Sequence, residues 1–212
     1  MTNFIPIFPL NIVVFPGENL NLHIFEPRYK QLTRECFESG KIFGIPTVIN
    51  NSIKEIGTTL KILSIEKEYP NGEFDIKTEG IEIFKILEII KKVPNKLYSG
   101  AIVNYPEICM KADENIKHCV LESLTFFHQS IEAEKKYKKE KIYLNSYDVA
   151  HDVGFTLEQE YEFNCLLKEE YRLEYIMRHI DKMLRMLEQF KKLKERIKLN
   201  GHFKKLSIDN TD

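Results

Sequence analysis

The spacing of apolar residues changes once along this chain, near Pro106, and that change restricts the fold more than any motif does. Before it, short apolar runs alternate with turn residues. After Asp113, Ile116, Val120, Leu121, Leu124, Phe127 and Ile131 recur every three or four positions. A period of two belongs to a half-buried strand, and a spacing of three and four belongs to a helix with one apolar face. The expected fold class is therefore α+β. A small β-barrel with one inserted helix fills residues 1–106, and an α-helical subdomain ending in a long helix fills 107–203. Residues 204–212 are expected to form a mobile tail.

Within the first part, Ile12 to Phe15 reads as a short strand closed by Pro16-Gly17. Pro presets φ and Gly accepts a positive φ, as a type II turn requires. Leu20, Leu22 and Ile24 alternate with polar residues as a second strand. Glu26-Pro27 then starts a helix that Ser39-Gly40 ends, because Pro is well tolerated at the first helical position. Phe8, Phe15, Leu22 and Tyr29 are expected in the core. Ile42 to Ile49 is a strand weakened by Gly44 and Pro46, which places it at an edge or a bulge. Asn50-Asn51-Ser52 is a turn, and Pro70-Asn71-Gly72 joins Gly57–Glu68 to Phe74–Thr78 as a hairpin. The apolar phase slips between Leu60/Ile62 and Leu63/Ile65, which predicts a bulge. Gly80 separates off a further strand, Ile81–Ile90, and Leu97–Tyr105 is the last.

In the second part, Ser146 caps a short helix ended by Gly154, and Thr156-Leu-Glu-Gln159 is a capping box. A long apolar stripe from Leu173 to Ile197 then runs to Asn200-Gly201 and is expected to pack against the Ile116–Ile131 helix. The lysine-rich run Lys135 to Lys141 is expected to be mobile.

Charge and motifs exclude more functions than they suggest. Thirty-one Lys and Arg against thirty-two Asp and Glu leave a net charge of −1, with no global pull toward nucleic acid or an anionic membrane. Cys36, Cys109, Cys119 and Cys165 form no Cys-x-x-Cys pair, and reduced thiols in a cytoplasmic protein are expected. The N-terminus lacks the features of a signal peptide, and no apolar run approaches the ~20 residues of a membrane span. Phosphate-binding loops, dinucleotide fingerprints, nucleophile elbows and zincin motifs are missing from the sequence. His118-Cys119 with His128, and His151-Asp152, come nearest to a metal or catalytic set, yet neighbours on a helix diverge by ~100°. Glu158, Glu160, Glu162, Glu169 and Glu170 read as a solvated face. Lys191, Lys192, Lys194, Arg196, Lys198, Lys204 and Lys205 read as a solvated helix end that phosphates could also meet. No catalytic, cofactor-binding or metal-binding residue and no cofactor is assigned. A small enzyme of unrecognised type would need two or more perturbed titratable groups converging on one deep pocket.

The order of the motifs carries a resemblance. Phe8-Pro9-Leu10 through Phe15-Pro16-Gly17, Leu20 to Phe25, and Glu26-Pro27-Arg28-Tyr29 resemble the opening of the Lon N-terminal substrate-binding domain. Ile56-Gly57-Thr58 with Leu60-Lys61-Ile62, Pro70-Asn71-Gly72, Thr78-Glu79-Gly80 and Tyr98-Ser-Gly-Ala-Ile-Val103 continue it in order. Thr156 to Glu160, Tyr171-Arg172-Leu173 and Arg196 to Phe203 are similar to stand-alone members. One departure is Glu82-Ile83-Phe84, where the family commonly has an Arg followed by an aromatic. The resemblance implies a PUA-like barrel and a non-enzymatic module that binds exposed apolar or unfolded polypeptide segments in protein quality control. It implies an adaptor-like role beside a protease or chaperone, without the ATPase and Ser-Lys peptidase modules of full-length Lon. The expected binding surface is an apolar groove between barrel and helices. The relation to PUA folds leaves an RNA-binding barrel as the alternative, and no membrane partner is expected. Client identity and oligomeric state are left open.

Overall fold

A computed structural model of the protein describes residues 2–133, 137, 140 and 143–206, with side chains described through Ile197. The lysine-rich run 135–141, apart from positions 137 and 140, and the residues 207–212 of the tail lie outside the described residues.

Six strands form one antiparallel sheet: β1 (Thr2–Pro6), β2 (Asn19–Ile24), β3 (Phe43–Ile49), β4 (Ser52–Glu68), β5 (Phe74–Ile90) and β6 (Gly100–Asn104). The order is β1-β6-β5-β4-β3, and β2 pairs with the first half of β5. Among the described residues, the sheet's two ends are joined only by isolated parallel bridges, Ile7 to Gly44 and Leu10 to Thr47, so no continuous ladder closes a barrel there. α1 (Pro27–Ser39) sits between β2 and β3. The second part holds α2 (Glu114–Ser130), α3 (Ser146–Val149) with a following 3₁₀ turn, α4 (Leu157–Asn164) and α5 (Glu169–Leu206).

Local chemistry accounts for most element boundaries. Gly17 takes φ 82° and Glu18 N–H donates to the Phe15 carbonyl at 3.1 Å, the closure of the Pro16-Gly17 turn. Pro27 opens α1, and Gly40 at φ 64° returns its N–H to Cys36 and Phe37. Asn50 and Asn51 both adopt positive φ between paired Ile49 and Ser52, so β3 and β4 are joined by a two-residue turn suited to the sheet's twist. Asp113 caps α2, and Thr156 with Gln159 forms the capping box of α4. The cap of α3 is Asn145, one residue ahead of the expected Ser146.

Two expectations about strands are corrected. Ile12–Phe15 is irregular, because its three consecutive buried residues serve two cores. Val14 faces the sheet-and-α1 cluster with Phe8, Ile24, Tyr29 and Leu32, whereas Val13 and Phe15 face the helical cluster. Phe74–Thr78 and Ile81–Ile90 are one strand, and Gly80 is a point of close approach inside it. A Cβ there would lie 2.4 Å from the Phe15 carbonyl oxygen, and Gly80 exchanges backbone hydrogen bonds with Gly17 and Glu18, each at 2.8 Å. β1, which the sequence reading did not contain, pairs with β6. The expected slip in β4 appears as register shifts at Thr58/Leu60, Ile62/Ser64 and Ile65/Lys67.

Phe8 and Tyr29 stack at 3.7 Å between ring centres, and Phe8, Phe15 and Tyr29 are buried; Leu22 is half-buried, and Ile24 fills that end of the core. The α1 face is tied to the loop before β6 by Glu35, which accepts from Lys96 at 2.7 Å and from Tyr98 Oη at 2.6 Å.

Candidate recognition surfaces

The corner formed by Pro16-Gly17 meets the helical part. Phe15 lies 5.4 Å from Phe163, 5.8 Å from Tyr147 and 4.6 Å from the His151 ring, measured between ring centres. The Glu18 carboxylate accepts from Phe15 N–H at 2.9 Å and from His151 Nε2 at 3.0 Å, while His151 Nδ1 donates to Glu160 at 2.7 Å. Burial opposes charge on this imidazole, but the hydrogen bonds to Glu160 and Glu18, with their charges, outweigh it and push the pKa up to about 10. At neutral pH both ring nitrogens carry protons, so His151 joins the two halves of the molecule and has no lone pair to act as a base.

A cleft of about 430 Å³ opens beside this corner, lined by Pro16, Glu18, Tyr147, Asp148, His151 and Asp152 among others. Tyr147 also has a raised pKa, about 12, chiefly through burial. Tyr137, also on this cleft, is raised by burial and by Asp152, so three perturbed groups lie beside it and structure explains each: burial accounts for Tyr137, His151 is saturated by carboxylates, and the Tyr147 ring packs between Phe15, Phe163 and the Arg172 guanidinium at 4.3 Å. The expected apolar groove between barrel and helices is filled here by side chains. Val13, Phe15 and Ile83 from the first part share a core with Val120, Leu124, Phe163, Leu173 and Ile176.

The remaining candidate residues are dispersed. His118 and Cys119 are exposed on α2, whereas His128 is buried with Nε2 2.9 Å from the Asp152 carbonyl oxygen. Among the described residues no group of three His, Cys, Asp or Glu side chains is placed to hold a metal ion. Cys36 is buried, and burial pushes its thiol up to about 11, the behaviour of a small core residue. Glu82, the point of departure from the family pattern, is exposed, while Phe84 two residues on is buried and fills the space that Gly44 and Gly57 leave.

One reading of the carboxylates is overturned. Glu169 is not on a solvated face but 1% exposed, and it faces Arg172, which is fully buried. Arg172 Nη2 and Nε reach Glu169 Oε2 at 2.7 and 3.1 Å, Nε also reaches Ser146 Oγ at 2.9 Å, and Nη1 donates to the Leu166 carbonyl at 2.6 Å. Ser146 N–H and Oγ–H donate to the same carboxylate at 2.8 and 2.6 Å. The signal was present in the sequence: Glu169, Arg172, Leu173, Ile176 and Ile180 are in phase on one helical face, so the charges sit on the buried stripe.

A further concavity lies on the face of α2 that points away from buried Val120, Leu124 and Phe127. It measures about 750 Å³ and is lined by Lys117, His118, Leu121, Glu122, Thr125 and Phe126, among others. Phe126 is 59% exposed there. Further large apolar side chains are exposed at Phe4 and Leu87 on the sheet and at Phe25 just after β2. Sequence reasoning named none of these, because Phe126 stands one residue from core Phe127 and only the helix's rotation about its axis separates them.

Residues 5–210 match the model of the ATP-dependent protease La (LON) substrate-binding domain. The fold is similar to that of a Lon N-terminal domain protein from Xanthomonas campestris, with 20% identity and a TM-score of 0.61 over 82% of this chain and 97% of that one. It is similar also to the N-terminal domain of Mycobacterium avium complex Lon protease, with 16% identity and a TM-score of 0.61 over 84% and 98%. Matched over nearly its whole length by the family model, the chain belongs to the Lon substrate-binding domain family.

Proposed function

We propose that the protein is a non-catalytic recognition module that binds exposed apolar or unfolded segments of other polypeptides in protein quality control, in a cytoplasmic setting beside a protease or chaperone. Family membership supports recognition of protein substrates, and the observation that carries the finer reading is the α2 groove. Its lining mixes apolar Leu121 and Phe126 with Lys117, His118 and Glu122, a combination that accepts varied sequences. No helix among the described residues is long and apolar enough to cross a membrane.

The test is a titration of a labelled, reduced and alkylated polypeptide that cannot refold. The wild-type chain should bind it and Phe126→Ser should bind at least about fivefold more weakly, a loss of roughly 1 kcal/mol. Equal binding by both proteins, with their unfolding midpoints matched, would remove the groove from the account. A PUA-like barrel that binds RNA is the second reading, supported by the exposed Lys191, Lys192, Lys194 and Arg196 of α5. In that case affinity for an RNA oligomer falls steeply with salt, and charge reversal at Lys194 and Arg196 flattens the slope.

A further inference from the structure

We infer that the distal half of α5 is a docking seam for an amphipathic helix of a partner protein whose flanking positions are acidic. Among the described residues, Met183, Leu184 and Leu187 are the last of α5 packed against the helical core. From Glu188 to Ile197 every side chain is exposed, and the helix continues to Leu206. Met186, Phe190, Leu193 and Ile197, exposed by 53, 67, 54 and 63%, repeat at intervals of four, three and four. That interval is the seam of a two-helix coiled coil. At ~100° per residue the four side chains span an arc of about 60°, narrower than the ~100° stripe of a helix that lies on a core or a lipid surface.

Charge selects the occupant. Lys194 borders the seam on one side, and Gln189 and Arg196 border it on the other. Between Lys182 and Leu206 nine Lys and Arg face two Glu, a local charge of +7 in a chain whose total is −1. A second copy laid on this seam would set cations against cations, which coiled coils avoid at flanking positions. Glutamates at those positions of a partner would neutralise Lys194 and Arg196 while its apolar residues cover Phe190 and Leu193. This surface is separate from the α2 groove, and the inference does not rest on client binding there.

The full chain is titrated with a synthetic three-heptad helical peptide carrying Leu at core positions and Glu at flanking ones, and with the same peptide carrying Lys. The Glu peptide should bind, more weakly as salt is added, and the Lys peptide should not. Phe190→Glu with Leu193→Glu should weaken binding at least tenfold without moving the unfolding midpoint, since both side chains are exposed. Lys194→Glu with Arg196→Glu should turn the preference toward the Lys peptide, whereas Phe126→Ser should leave it unchanged. Equal affinity for both peptides, or none for either, overturns the inference. So does wild-type self-association lost in the Phe190/Leu193 variant, which assigns the seam to a second copy. Tighter binding to phosphatidylserine vesicles or an RNA oligomer than to the Glu peptide overturns it as well.

Discussion

Replacing Arg172 by Met keeps the aliphatic stem and removes the charge, which makes it a sharp test of what holds the helical part together. The substitution strands the Glu169 carboxylate at 1% exposure and removes the donor to the Leu166 carbonyl. Ser146 still donates twice to Glu169, so hydrogen bonding is partly retained while charge compensation is lost. Breaking a buried pair from one side costs about 3–5 kcal/mol, a large part of the 5–15 kcal/mol typical of a whole domain. Urea unfolding followed by circular dichroism should show that loss. The double variant Arg172→Met with Glu169→Gln removes both charges and keeps an acceptor for Ser146, leaving the cost of the Leu166 carbonyl's lost donor, about 1–3 kcal/mol. A single variant within about 1 kcal/mol of wild type, or a double variant worse than the single, would refute the reasoning.

Gly80→Ala places a Cβ 2.4 Å from the Phe15 carbonyl, a backbone atom that can yield only by moving the Pro-Gly corner, so a loss of about 1–3 kcal/mol is expected in the same assay. Gly72→Ala, at φ 74° with nothing within 4 Å, should lose only the left-handed strain of about 1 kcal/mol. For His151 the folded pKa is raised from 6.5 to about 10, so its contribution is fully present below about pH 6.5 and is lost as pH rises through about 10. The ring is 40% exposed, which holds that contribution to about 1 kcal/mol, and NMR titration of the ring protons should give a midpoint well above 6.5. For Glu35, burial favours the neutral form, but hydrogen bonds from Lys96, Tyr98 and Gln31 outweigh it and depress the pKa. Its contribution is therefore present above about pH 4.5 and lost as pH falls through the depressed value, a loss that Glu35→Gln should abolish in acid unfolding curves.

What could be read from the sequence was chemistry confined to a few neighbouring residues. Pro16-Gly17, Glu26-Pro27 and Thr156 to Gln159 each specify a turn or a helix start through their own dihedral and hydrogen-bonding preferences, and each stands where it was expected. What escaped depends on residues far apart in sequence. Gly80 looks like a strand break until the Phe15 carbonyl, 65 positions earlier, is seen against it. Glu169 looks solvated until Ser146 and Arg172 enclose it. Ile12–Phe15 has β-branched residues, but its neighbours in sequence cannot reveal that alternate side chains serve two cores. The concavity on α2, the proposed recognition groove, was the least legible feature, because an outward Phe126 and an inward Phe127 differ only in rotation about α2.

These observations divide the family motif from the function it accompanies. Phe8, Phe15, Pro16-Gly17 and Tyr29 build the corner and the two cores, so their value is architectural. The proposed recognition surface is one that the corner leaves open. Replacement of Phe126 by a photoreactive phenylalanine analogue, with the same analogue at Phe25 as control, tests this most directly. Irradiation with one polypeptide in its unfolded and its folded form should crosslink the unfolded form at position 126 alone. Equal crosslinking of both forms, or crosslinking of the unfolded form at position 25 but not 126, would contradict the account.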